Sequence, residues 1–291
     1  MSERSADEYY VAPMSYWPII GTIGLTLFAI GFATYLNGDS FGSWITMGIG
    51  VATLIVMLFG WLGAAVRENR AGLHNAQVEQ SVRLGMIWFI FSEVMFFAAL
   101  FGVLFYARQF SIPWLSGEAP SNFSTNQFLW PGFEGSWPSN GPAGLGGDFQ
   151  AIGPWPIPAV NTLILLSSGV TITWAHWALK KGDNGKLVLG LLATVVLGFI
   201  FVGMQAYEYI HLHHAYNITL ETGIYGSTFY LLTGFHGLHV IIGSIVLAIM
   251  MFRALSRHFT VDNHFAFEAA AWYWHFVDVV WLGLFVFVYV I

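Results

Sequence analysis

Apolar residues along this chain fall into seven long runs, hydrophobic on every side and separated by polar segments. The runs cover residues 16–36, 44–66, 82–109, 156–179, 186–210, 223–252 and 265–291. A hydrocarbon core of about 30 Å takes roughly 20 helical residues to cross, so each run is long enough. None shows the apolar/polar alternation of a transmembrane strand. The pattern therefore predicts an all-α integral membrane protein with seven transmembrane helices. Most connections are short, so consecutive helices are expected to be antiparallel neighbours. The exception is residues 110–155, rich in Gly, Pro, Ser and Asn and carrying Trp114, Trp130, Trp137 and Trp155. Tryptophan favours membrane interfaces. This segment is expected to lie as a cap on the outer surface, or else to meet a partner protein.

Composition agrees with the pattern. The chain is 56% hydrophobic and 9% charged, with mean hydropathy +0.65, whereas soluble domains carry about 25% charge. The few cations are informative through their placement. With seven spans, Arg4, Arg67, Arg70, Arg83, Lys180, Lys181, Lys186, Arg253 and Arg257 share one side, and only Arg108 lies on the other. Cytoplasmic loops collect Lys and Arg, so the N-terminus is expected inside and the C-terminus outside. No nucleic-acid partner is expected. There is no cysteine, which excludes disulfides, thiolate metal sites and catalytic thiols. The opening stretch "MSERSADEYYVAPMSYWP" lacks the features of a signal or transit peptide, so the first run is expected to act as its own insertion signal. No internal repeat points to an inverted-repeat transporter.

Several titratable residues fall where hydrocarbon makes them costly. At 1.5 Å per residue, Glu93 lies roughly 15 Å into the third run, and His236 about 18 Å into the sixth with His239 one turn further. His275 and Asp278 lie roughly 14 and 18 Å into the seventh, while Glu268 stays near the inner interface. A charge at mid-membrane costs about 2.5–3.5 kcal/mol on insertion scales, so such groups turn inward, pair or stay neutral. Glu268, Trp272 and His275 lie within about 60° on the last helix, with Asp278 one turn above His275, and are expected to form one inward stripe.

Three chemistries stay open for these groups: a proton relay, a metal or haem site, and a polar clamp between helices. "HLHH" (His211, His213, His214) ends the fifth run and reads as a solvated interfacial cluster or a metal site. His236 and His239, at i and i+3 on one helix, cannot sandwich a haem alone. His176 is expected to anchor near the inner interface. Retinal is disfavoured, because the seventh run has no lysine.

The strings "WFIFSEVMFFAAL", "LLSSGVTITWAHWAL", "GIYGSTFYLLTGFHGLHVIIG" and "HFAFEAAAWYWHFVDVVWL" closely resemble the corresponding helices of the subunit III family of cytochrome c oxidase, a haem-copper terminal oxidase. The likeness runs from about Arg67 to the end, apart from the long outer loop, and is weak over the first two runs. It implies a core subunit with no catalytic residue, metal or haem of its own, packed on subunit I beside subunit II. Haem and copper belong to those partners, and cytochrome c donates electrons to the complex. The resemblance also implies that helices 1–2 (residues 1–66) stand apart from helices 3–7 (residues 67–291) across a cleft holding phospholipid, and that the subunit supports proton uptake. Residue by residue, it assigns lipid contact to Arg67, Glu68, His74, Glu93 and Arg253, while the depth of Glu93, His236, His239, Glu268, His275 and Asp278 in the runs gives them buried polar or proton-related roles. Many relatives carry a Trp-Arg-Asp string before the position of Arg67, where this chain keeps Trp61 but has Gly63 and Ala64 for the charged pair. The longer outer loop and the N-terminus point to a bacterial plasma membrane rather than a mitochondrial one. The alternatives are a quinol oxidase subunit, a stand-alone seven-helix proton channel or transporter built on Glu93, His275 and Asp278, or a haem-bearing anchor using His236 and His239.

Overall fold

A computed structural model describes residues 10–11, 13–38, 41–73, 76–118 and 123–291. The described residues form helices and loops with no strand. Seven helical segments are long and apolar enough to cross a membrane, as the run pattern predicts. In order, the helices are α1 (Trp17–Leu36), α2 (Phe41–Arg70), α3 (Ala76–Tyr106), α4 (Ile112–Ser116), α5 (Phe123–Leu129), α6 (Ile157–Lys180), α7 (Asn184–Ala215), α8 (Gly223–Leu255) and α9 (Phe265–Leu284). A π-helical turn, Ala107–Ser111, joins α3 to α4, and a second, Phe285–Val290, follows α9.

Several ends differ from the hydrophobic runs, because local polar contacts lengthen helices beyond their apolar stretch. The first turns of α3 are polar, yet Arg83 pairs with Glu79 one turn back at 3.0 Å. α7 begins on an Asp183 cap whose side chain accepts from the Lys186 amide at 3.1 Å. Hydrogen bonds from Lys186 hold the Asp183 carboxyl below its ordinary pKa. The same helix carries on through "HLHH".

The chain divides into two compact units, residues 1–85 and 86–291. In the first, α1 and α2 pack closely because glycines remove side chains from the contact. A Cβ on Gly31 would meet the Met47 amide nitrogen at 2.7 Å, and one on Gly50 the Phe28 nitrogen at 2.6 Å. Small residues let membrane helices approach in this way. Ser43 also donates across the pair to Thr34 at 3.0 Å.

In the second unit, α6 packs on α7, α7 on α8, α8 on α9 and α9 back on α6. Phe97 of α3 lies against the Phe276 and His239 rings of α9 and α8. Two fully buried tryptophans of α9 are bolted to α6: the Trp274 indole donates to Ser168 at 2.9 Å and the Trp281 indole to Thr162 at 2.9 Å. Trp274 fits because the facing positions are glycines. A Cβ on Gly198 of α7 would lie 2.7 Å from its ring, and one on Gly243 of α8 2.9 Å.

The long connection after α4 folds back on the turn between α7 and α8. Phe149 stacks on Tyr225 with centroids 5.3 Å apart, and Asn217 donates to the Asp148 carbonyl at 2.9 Å. Arg108 donates to the carbonyls of Phe287 and Ile291 at 3.4 and 2.9 Å and sits over the Trp137 ring. A loop rich in glycine is thus tied down by side chains at its edges.

Gly243→Val is expected to destabilise the bundle by about 1–3 kcal/mol through overpacking against Trp274. Gly237→Ala on the same helix, where an added Cβ meets nothing within 4 Å, is expected to be nearly neutral. Thermal unfolding of the solubilised protein measures both, and equal losses would refute the slot.

Candidate functional site

The polar residues singled out from the sequence do not converge on one centre. Two of them meet. Nε2 of His239 on α8 lies 2.9 Å from the Glu93 carboxylate on α3, and its Nδ1 lies 2.7 Å from the Phe235 carbonyl. The chemistry of these partners restricts the proton count. A carbonyl oxygen only accepts, so Nδ1 must carry hydrogen. Nε2 then either accepts from a protonated Glu93 or, as part of an imidazolium, donates to the carboxylate. In both states one proton lies between the two groups and the pair is neutral overall. Neutrality is what an apolar surrounding favours. The rings of Phe96, Phe97, Tyr273 and Phe276 surround His239. The side chains of Glu93 and His239 are 23% and 11% exposed, so the site is shielded but not sealed.

His236, one turn from His239, faces another way. It is fully buried between Phe201 and Trp281, and its Nε2 lies 3.1 Å from the Val277 carbonyl. It ties α8 to α9 and does not share a ligand position with His239.

The expected stripe on α9 does not turn inward as a unit. Asp278 is buried, but His275 opens to the outside of the bundle, with 46% of its side chain exposed. The cause is packing: Trp274, Phe276 and Val277 take the inward positions, because they carry more apolar surface. His275 is held by Thr173 of α6 at 3.3 Å and by Asp278 at 3.5 Å. Glu268 lies half-buried in the first turn of α9, where an acid suits the helix dipole.

The remaining candidates are dispersed. Arg67 is exposed and Glu68 half-buried, both near the end of α2. His74 falls outside the described residues. Arg253 occupies the last turn of α8 with its guanidinium over the Phe259 ring at 4.8 Å. His176 lies beside the His264 and Phe267 rings. His211, His213 and His214 are exposed at the end of α7. Among the described residues, no group of three or more His, Asp or Glu side chains is arranged to hold a metal ion.

The sequence reasoning missed Glu208. This carboxyl is buried on α7 and accepts from Gln205 at 3.2 Å and from the Tyr289 hydroxyl at 3.4 Å. Its signal was an acid inside the fifth apolar run, in "QAYEY", obscured by its closeness to the polar end.

Replacing Glu93 tests the shared proton. Glu93→Gln still offers a donor to a neutral Nε2 and is expected to leave stability nearly unchanged. Glu93→Ala strands a buried nitrogen and is expected to cost about 1–3 kcal/mol. Thermal unfolding separates them, and equal effects would contradict the pairing.

Comparison with known proteins covers the whole bundle. The family model for cytochrome c oxidase subunit III matches residues 7–119 and 129–291. Cytochrome c oxidase subunit 3 of Carassius auratus is 39% identical over 287 residues, spanning 98% of each chain. That of Lemur catta is 40% identical over 282 residues, 97% of this chain and 91% of the relative. That of Tetraodon nigroviridis is 40% identical over 287 residues, again 98% of each. These relatives are vertebrate proteins, which argues against the bacterial membrane expected from the loop and the N-terminus. With seven candidate spans and a match along nearly its full length, the chain belongs to the cytochrome c oxidase subunit III family, the multi-pass membrane subunits of a respiratory oxidase.

Proposed function

We propose that the chain serves the oxidase as a non-redox core subunit that stabilises subunit I, holds phospholipid and supports proton uptake. Haem and copper reside in subunits I and II, and cytochrome c donates electrons to the assembly. The observation that carries this reading is the Glu93–His239 pair, a neutral, shielded group that holds one proton between two helices. Such a pair can pass a proton within itself without leaving a net charge in an apolar setting, which suits a supporting role in proton movement.

The lipid reading rests on cation placement. Nine of the ten Lys and Arg residues share one side under a seven-span topology with the N-terminus inside. Basic residues at helix ends on that side suit anionic headgroups, and a guanidinium can grip a phosphate with two hydrogen bonds. Arg67 and Arg253 are such residues, each in the last turn of its helix. Glu68, the next residue along α2, is proposed to join Arg67 in contacting headgroups.

Purification from gently solubilised membranes is expected to bring a haem-copper catalytic subunit with this chain, while the chain alone shows no haem absorption. A haem spectrum from the isolated chain, or no catalytic partner in the complex, would refute the reading. Arg67→Ala is expected to lower bound phospholipid and shorten the number of turnovers before inactivation. Unchanged lipid content and an unchanged catalytic lifetime would remove Arg67 from the lipid site.

A further inference from the structure

Unlike Glu93 and Asp278, the buried Glu208 carboxyl has no histidine beside it. It lies two turns before the end of α7 (Asn184–Ala215) and faces Tyr289 in the turn after α9. Among the described residues, no Lys, Arg or His forms an ion pair with it. His211, one turn further along α7, lies instead against the Tyr207 and Tyr216 rings. His236 of α8 is engaged by the Val277 carbonyl. The titratable groups left around Glu208 are the phenols of Tyr209, Tyr225, Tyr230 and Tyr289, and a phenol carries no positive charge. An ionised carboxylate enclosed without a cation is costly, and the neutral acid escapes that cost.

The hydrogen bonds show where the proton fits. Gln205 Nε2 and the Tyr289 hydroxyl both donate to the same oxygen, Oε2, at 3.2 and 3.4 Å. The second oxygen, Oε1, is buried and meets no donor. Oε2 is thus the carbonyl oxygen of an acid whose hydroxyl is Oε1. That hydroxyl needs an acceptor, and two buried acceptors nearby lack a donor. One is Oε1 of Gln205, on the side chain already bonded to Glu208. The other is Oδ1 of Asn161 on α6, whose amide reaches the carbonyl of Phe201, one turn before Gln205, at 3.4 Å.

A single small molecule that accepts one hydrogen bond and donates two completes all three groups. Water has that valence, and buried waters make about three hydrogen bonds to otherwise unsatisfied polar groups. A monovalent cation would take the three oxygens as ligands, but only with the carboxyl ionised, and it would bring no donor for an acid.

We propose that Glu208 is held as the neutral acid and, with Gln205 and Asn161, binds one water molecule, forming a second proton-exchanging site between α6, α7 and the turn after α9. The acid donates to the water, and the water donates to the two amide oxygens. This site does not depend on the role proposed for the Glu93–His239 pair, which joins α3 to α8.

Infrared difference spectra of the intact purified oxidase at neutral pH test the assignment. Wild type minus Glu208→Gln is expected to show the loss of one protonated-carboxyl C=O band and of no carboxylate band. In D2O that band is expected to shift, because the bound water exchanges the acid proton. Tyr289→Phe removes a donor to Oε2 and is expected to move the band to higher wavenumber. Loss of carboxylate bands in Glu208→Gln would overturn the neutral acid, and an acid band unmoved in D2O would overturn the water. A wild-type unfolding temperature raised by sodium or potassium, with no such rise in Glu208→Gln, would put a cation in its place. Should Glu208→Gln fail to assemble, Tyr289→Phe carries the test, and an unchanged acid region in that variant would refute the site.

Discussion

Polar atoms inside an apolar helical bundle must find partners on neighbouring helices, and that constraint organises residues 86–291. A helix satisfies its own backbone, so nothing in the backbone sets how two membrane helices register. Side chains do it here. The Trp274 and Trp281 indoles each need an acceptor, and Ser168 and Thr162 supply them from one face of α6. His236 reaches a carbonyl of α9, and Tyr209 on α7 meets Thr233 on α8 at 2.7 Å. Each bond fixes a depth as well as a neighbour. The glycines at 198 and 243 complete the arrangement, because without them the Trp274 ring has no slot.

The same constraint explains how the bundle holds titratable residues. Glu93 and His239 share one proton at 2.9 Å, and the Asp278 carboxyl lies 3.5 Å from the His275 ring. Sharing keeps the first pair neutral, which removes most of the cost of burial. They differ in setting. The first is ringed by aromatic side chains within the unit, and the second opens on its surface. The neutral, enclosed pair is the feature on which the proposed supporting role in proton movement draws. Glu208 solves the problem a third way, through an amide and a phenol rather than a histidine.

Membership of the cytochrome c oxidase subunit III family places these features in a respiratory complex. The role proposed for the chain calls for a well-packed bundle and few charges, and the sequence is only 9% charged. The long loop after α4 fits the same economy. It is rich in glycine and polar residues, yet Phe149, Asn217 and Arg108 fasten it to the ends of α7, α8 and the last helix.

The sequence by itself determined the seven spans, because burying an apolar run in hydrocarbon needs only length and hydropathy, both of which are local. It also singled out Glu93, His236, His239, His275 and Asp278, since an ionisable residue inside an apolar run stands out wherever it points. What it did not determine was direction. Helical angles put Glu268, Trp272 and His275 on one stripe, but not which side of α9 that stripe faces. The bulk of Trp274, Phe276 and Val277 decided it by claiming the interior. Nor did spacing pair Glu93 with His239, which are 146 residues apart. Only the packing of α3 against α8 brings a carboxyl to an imidazole, and only there does a shared proton become a property of the molecule.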